Sequence, residues 1–150
     1  MELLFEQNIV ARVLLTFLSI GLCLGPMIAD FNKTHATNPL WPGHARFHVV
    51  WQVLNNSSNA LVLLFLVWVP LVQYDLQLIL VCVFIGLSLV SFFATLLGRN
   101  VFDGTLTDPN GIPPFRFKLP GKTWEVDTNL FNFGVLSILL PIAALNIVQL

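Results

Sequence analysis

Residues 45–71 read ARFHVVWQVLNNSSNALVLLFLVWVPL, and the fold turns on how this stretch is read. Its uninterrupted apolar part, Ala60 to Val72, is too short to cross a hydrocarbon layer, which takes roughly 20 residues of helix. A crossing must therefore borrow Phe47 to Asn59, with the amides that segment carries. On a helical wheel at about 100° per residue, His44, His48, Trp51, Gln52, Asn55, Asn56, Ser58 and Asn59 share one half of the circumference. Phe47, Val49, Val50, Val53 and Leu54 take the other half. Amides at mid-membrane depth cannot face lipid, because each unpaired polar group there costs on the order of a few kcal/mol. The stripe must face other helices or water, so residues 45–71 form a span within a bundle.

Three further segments are long and apolar enough to cross: 9–29, 76–97 and 129–148. The first lacks a cationic lead, being preceded by Glu2 and Glu6, and no small-x-small cleavage site follows, so it reads as a retained helix. The chain is 56% hydrophobic and 10% charged with a mean hydropathy of +0.81, outside the usual soluble range. The expected fold is an all-α membrane protein: a single integral membrane domain over residues 1–150, built as a bundle of four transmembrane helices. Seven Lys and Arg against eight Asp and Glu give no basic field for nucleic acid. Cys23 and Cys82 fall inside apolar runs and read as small packing residues.

The third loop, 99–128, is too long for a simple connection. Phe115-Arg-Phe-Lys-Leu, a Pro-Gly pair and a second alternating run through Thr123-Trp-Glu-Val-Asp predict a short β-hairpin, expected to lie as a lid over the mouth of the bundle. Asp103-Gly and Asp108-Pro-Asn-Gly read as turns, since their carboxylates do not follow the Ca²⁺-loop spacing. Pro70 to Asp75 reads as a tight turn. Lys33, Arg46, Arg99, Arg116, Lys118 and Lys122 fall in or beside the first and third loops, and Arg12 alone lies toward the other side. This distribution places the larger loops in the cytoplasm and both termini outside, in a plasma (inner) membrane.

Two other spans carry polar stripes at helical spacing. In the first they are Arg12, Thr16, Ser19, Cys23 and Asp30; in the third, Ser88, Ser91, Thr95 and Gly98. Small residues such as those of the third span permit close helix approach, and packing accounts for them. The amides and imidazoles of the second span are too large for that, and they predict a polar cavity in the half of the bundle toward the first loop.

That loop, Asp30-Phe-Asn-Lys-Thr-His-Ala-Thr-Asn-Pro-Leu-Trp-Pro-Gly-His-Ala-Arg-Phe-His, holds all three histidines of the protein. His44 and His48, at i and i+4, share a helix face at a distance suited to one divalent metal, and Asp30 and His35 would complete a set of three nitrogens and one carboxylate. A second reading uses Asp30, His35, His44 and His48 for proton transfer at a lipophilic substrate. In it a histidine acts as acid or base, Asp30 fixes its tautomer, Trp41 and Trp51 are stacking walls, and Asn32, Asn38, Gln52, Asn55 and Asn59 contact the ligand. A third makes Trp41 an interfacial anchor, Arg46 a snorkelling cation and the histidines satisfied interfacial residues. No His-Glu-x-x-His, Gly-x-Ser-x-Gly, phosphate loop, dinucleotide fingerprint or Cys-x-x-Cys is present.

The string resembles the signature D-x-N-x-T-H, N-P-x-W-P-x-H-A-x-F-H of a family of small, uncharacterised four-helix membrane proteins of bacteria and fungi. Asp30, Asn32, Thr34, His35, Asn38, Pro39, Trp41, Pro42, His44, Ala45, Phe47 and His48 match it, and Gly43 stands where many members have a second proline. The resemblance covers residues 30–48 and implies the four-span layout but no activity. Three functions fit the residues together: a pocket for a lipid, quinone or isoprenoid with or without proton-transfer catalysis; a non-catalytic accessory subunit of a homo-oligomer or larger membrane complex; and an enzyme using a divalent metal on the histidine cluster.

Overall fold

The computed structural model describes residues 8–71, 73–108 and 111–148; Glu2, Glu6, Val72, Pro109 and Asn110 lie outside them. Four helices are long and apolar enough to cross a membrane: α1 (Ile9–Asp30), α2 (Gly43–Trp68), α3 (Tyr74–Gly98) and α4 (Thr128–Val148). A short 3₁₀ turn, Arg99–Phe102, follows α3, and strands β1 (Phe115–Leu119) and β2 (Lys122–Val126) pair antiparallel before α4. The all-α bundle with a hairpin in its third loop is thus the observed architecture.

The helix ends differ from the expected ones for local reasons. α2 stops at Trp68 rather than Leu71, because Pro70 drives the residue before it out of helical backbone, and Val69 is extended. α2 begins at Gly43, directly after Pro42, which has no N–H to leave unsatisfied. In the hairpin, Pro120 and Gly121 form a two-residue turn, and Gly121 takes the positive φ (78°) such a turn requires.

α1 is the central helix, packed against α2 and α4, while α3 rests on α4 and meets α2 only sparsely. The core occupies one end of the bundle. Ala11, Leu15 and Leu18 of α1 meet Leu63 and Val67 of α2, Leu78, Val81 and Ile85 of α3, and Ala143 and Ile147 of α4. These are the halves of each helix nearest the α2–α3 turn. Gly21 lets α4 approach closely, since a Cβ there would lie 3.3 Å from Leu136.

The α2–α3 turn is held by side chains rather than by caps. Gln77 donates to the carbonyls of Leu66 and Val69 (2.8 Å for the latter) and accepts from the N–H of Leu71 at 3.0 Å. Arg12, fully buried, donates from Nε to the Val67 carbonyl (3.3 Å) and lays its guanidinium 4.3 Å from the centre of the Trp68 ring. A cation at the carbonyl end of α2 complements the helix dipole there. Trp68 donates to Thr16 Oγ1 (3.0 Å), so the polar stripe of α1 binds the packed end of the bundle at Arg12 and Thr16.

Candidate functional site

Toward the first and third loops the helices separate around a cavity of about 910 Å³, open on one side and lined by all four of them. Gln52, Asn55, Asn56 and Asn59 of α2 form one wall. Ser88, Ser91 and Thr95 of α3 form the wall across the gap, and Asp30 lies at the loop end. The size is that of a pocket for a small organic molecule, for which roughly 300–1,000 Å³ is usual.

The two polar walls differ chemically. The α3 hydroxyls bond back to their own helix, Ser88 to Phe84 O (3.3 Å), Ser91 to Leu87 O (2.8 Å) and Thr95 to Ser91 O (2.8 Å). They line an opening instead of packing on a neighbouring helix, which corrects the packing role expected of them. Gly98 lies beyond the cavity. The α2 amides make no hydrogen bond among the described residues, yet they sit in mid-span where lipid offers none. Asn129 and Asn132 on the first turns of α4 line the same cavity and are equally unengaged. Sequence reasoning missed this pair; their i, i+3 spacing at the head of an apolar run was the available signal.

A second, smaller cavity of about 180 Å³ lies beside the first and shares Ala29, Asp30, Ile112 and Asn129 with it. His35 and Trp41 of the first loop line it, together with Thr105, Leu106, Thr107 and Asp108 of the third. Asp30 therefore stands between a polar antechamber and the larger cavity. The covering segment is the one that precedes the hairpin. No residue of β1 or β2 lines either cavity, so the strands are not the expected lid.

His35 is oriented by its neighbours. The Asn32 amide nitrogen donates to Ile28 O (2.7 Å) and Ala29 O (3.0 Å), capping α1 and leaving Asn32 Oδ1 as an acceptor. Thr34 Oγ1 lies 2.7 Å from that oxygen and 2.7 Å from His35 Nδ1. One hydroxyl has one proton to give; donated to Asn32, it leaves Thr34 accepting from His35 Nδ1–H, and Nε2 becomes the bare, basic nitrogen of the ring. Asp30 Oδ1 lies 3.8 Å from Nδ1. The Trp41 ring stands edge-on to the imidazole at 4.9 Å.

The remaining expected site residues lie elsewhere. His44 and His48 are exposed on α2, their Nε2 atoms 3.0 Å apart, on the same helix face as Gln52 but one and two turns beyond the cavity. Trp51 is exposed and lines neither cavity; its ring lies 5.9 Å from that of His48. Asn38 is buried but spent on the loop, donating to Thr34 O (2.8 Å) and accepting from Leu40 N–H (3.0 Å), and Asn32 is spent likewise. The metal set Asp30, His35, His44 and His48 is not assembled. The helix holds its two histidines apart from the loop pair, and among the described residues no three His, Cys, Asp or Glu side chains converge to hold an ion.

Compared with known proteins, the chain matches no family model, no curated protein and no solved structure. The resemblance noted above rests on the first-loop motif alone.

Proposed function

We propose that this integral membrane protein holds a lipophilic small molecule, of lipid, quinone or isoprenoid type, in the cavity between α2 and α3. The polar group of the ligand lies among the amides and toward Asp30, and its tail lies in the gap open to the bilayer. One observation carries the reading: an unengaged row of amides, Gln52, Asn55, Asn56 and Asn59, faces a space large enough for a ligand. Left empty in a membrane, each amide is destabilising by on the order of 1–3 kcal/mol. A ligand oxygen, with water from the antechamber, satisfies them.

Chemistry at this site is proton transfer. His35, bare at Nε2, lines the smaller adjoining cavity beside the Asp30 carboxylate and exchanges a proton with the ligand's polar group through water held there. The loops that build the antechamber carry or adjoin six of the chain's seven Lys and Arg, which supports a mouth on the cytoplasmic side of a plasma (inner) membrane. The exposed row His44, Phe47, His48 and Trp51 beyond the cavity favours a second reading, a non-catalytic accessory subunit that presents this face to a partner.

Native protein purified in mild detergent and extracted for mass spectrometry tests the pocket. One lipophilic class should co-purify near stoichiometrically with the wild type and be lost from Ser91→Phe, which fills the gap, and from Asn55→Leu/Asn59→Leu, with helix content unchanged. Bulk membrane lipid in equal amounts from all three overturns it. Co-migration of other polypeptides with the native protein supports the accessory reading.

A further inference from the structure

The hairpin has two chemically distinct faces. Phe115 pairs with Val126, Phe117 with Trp124 and Leu119 with Lys122, and these six side chains share one face. Arg116 opposite Glu125, joined at 2.8 Å, and Lys118 opposite Thr123 form the other. An isolated hairpin needs its apolar face covered. Here that face stays open: Phe115, Phe117, Leu119 and Trp124 are each between 41% and 56% exposed.

We propose that this face is seated in the interfacial layer of the same bilayer the bundle crosses, so that the hairpin is a lipid-binding anchor. Its tether leaves little choice of position. Only Asp127 separates β2 from the first residue of α4, so Val126 and Thr128 lie at most roughly 7 Å apart. Thr128 Oγ1 also donates to the Pro113 carbonyl (2.8 Å), fixing the other end. The apolar face is continuous with a lipid-facing surface. Phe115 and Phe117 lie 4.8 and 6.0 Å from the ring of Phe131, which heads the exposed stripe Phe131, Val135, Ile138, Ile142 and Leu145 on α4; Phe131 and Val135 are also at the edge of the large cavity, where it opens outward. Trp124, with the Lys122 ammonium 5.0 Å over its ring, gives the amphipathic pair that membrane interfaces favour, the ring among glycerol groups and the cation reaching to phosphate. The Arg116–Glu125 face is left to water.

Spin labels placed singly at 117, 119, 118 and 123, in full-length protein with Cys23→Ser and Cys82→Ser, test this in nanodiscs of phosphatidylcholine with phosphatidylglycerol. Positions 117 and 119 should collide with dissolved oxygen several-fold more, and with a water-soluble nickel complex several-fold less, than 118 and 123. Equal access of nickel to both faces overturns the proposal. So does shielding of 117 and 119 from both reagents, the signature of a covering protein. A second measurement keeps the apolar face aromatic: the fluorescence lost in Trp124→Phe gives the Trp124 signal, which lipids brominated near the head group should quench more than aqueous acrylamide does. The reverse order overturns the proposal as well.

Discussion

Replacing Gln77 and Asn55 separately by leucine distinguishes a structural amide from one that serves a ligand. Gln77 makes three bonds to the α2–α3 turn, with Leu66 O, Val69 O and Leu71 N–H, and is 7% exposed. At about 1 kcal/mol for each partner left unpaired, its loss costs about 3 kcal/mol, from which added apolar burial recovers about 1. The net effect is a destabilisation of about 2 kcal/mol. Asn55 has no hydrogen-bond partner among the described residues, and leucine removes an unengaged amide from the cavity wall. The ligand-free protein should therefore be unchanged or more stable by up to about 1 kcal/mol. The two variants thus separate by about 2–3 kcal/mol, roughly a hundredfold in the unfolding equilibrium. Titration of detergent-solubilised protein with dodecyl sulfate, followed by far-ultraviolet circular dichroism, measures both. Equal destabilisation by the two substitutions would refute the reasoning, since Asn55 would then have protein partners and the amide wall would be a hydrogen-bond network.

Arg12→Ala removes the bond to Val67 O and the stacking on Trp68 and should cost on the order of 3 kcal/mol in the same titration. Arg12→Lys should recover only part, because an ammonium cannot reproduce the planar stack. Thr34→Val removes the acceptor of His35 Nδ1–H; nitrogen-15 spectra of labelled histidine should show His35 pass from one tautomer to a mixture, and an unchanged spectrum would remove the tautomer assignment. With Cys23→Ser and Cys82→Ser, Lys33→Cys should resist a membrane-impermeant maleimide in intact cells and react after permeabilisation. Labelling of intact cells would invert the proposed orientation.

The four spans and the hairpin were legible because each rests on a local signal: apolar length for the helices, and alternation around Pro120-Gly121 for the strands. The α2 wall was legible for a related reason, as Gln52, Asn55 and Asn59 recur at helical spacing in a segment that must cross. Two features were not. The fate of Asn32 and Asn38 depends on loop geometry, where an amide that could meet a ligand instead holds backbone groups. The separation of His35 from His44 and His48 depends on where the loop lies relative to the helix that follows, and spacing along the chain does not encode that.

The position of the cavity follows from how polarity is distributed along the helices. Near the α2–α3 turn the polar groups of α1, α2 and α3 find one another: Arg12 reaches Val67 and Trp68, Trp68 reaches Thr16, and Gln77 reaches the turn. That end closes around Leu15, Val67, Val81 and Ile85. At the loop end the amides of α2 face hydroxyls whose protons go to their own helix, so those hydroxyls can accept amide N–H groups but have no proton to give the amide oxygens. Closing the gap would bury the amide oxygens without donors at a cost of a few kcal/mol. Walls that cannot fully satisfy each other keep the gap available, and a molecule with a polar group for the amides and a tail to lie in lipid meets both demands.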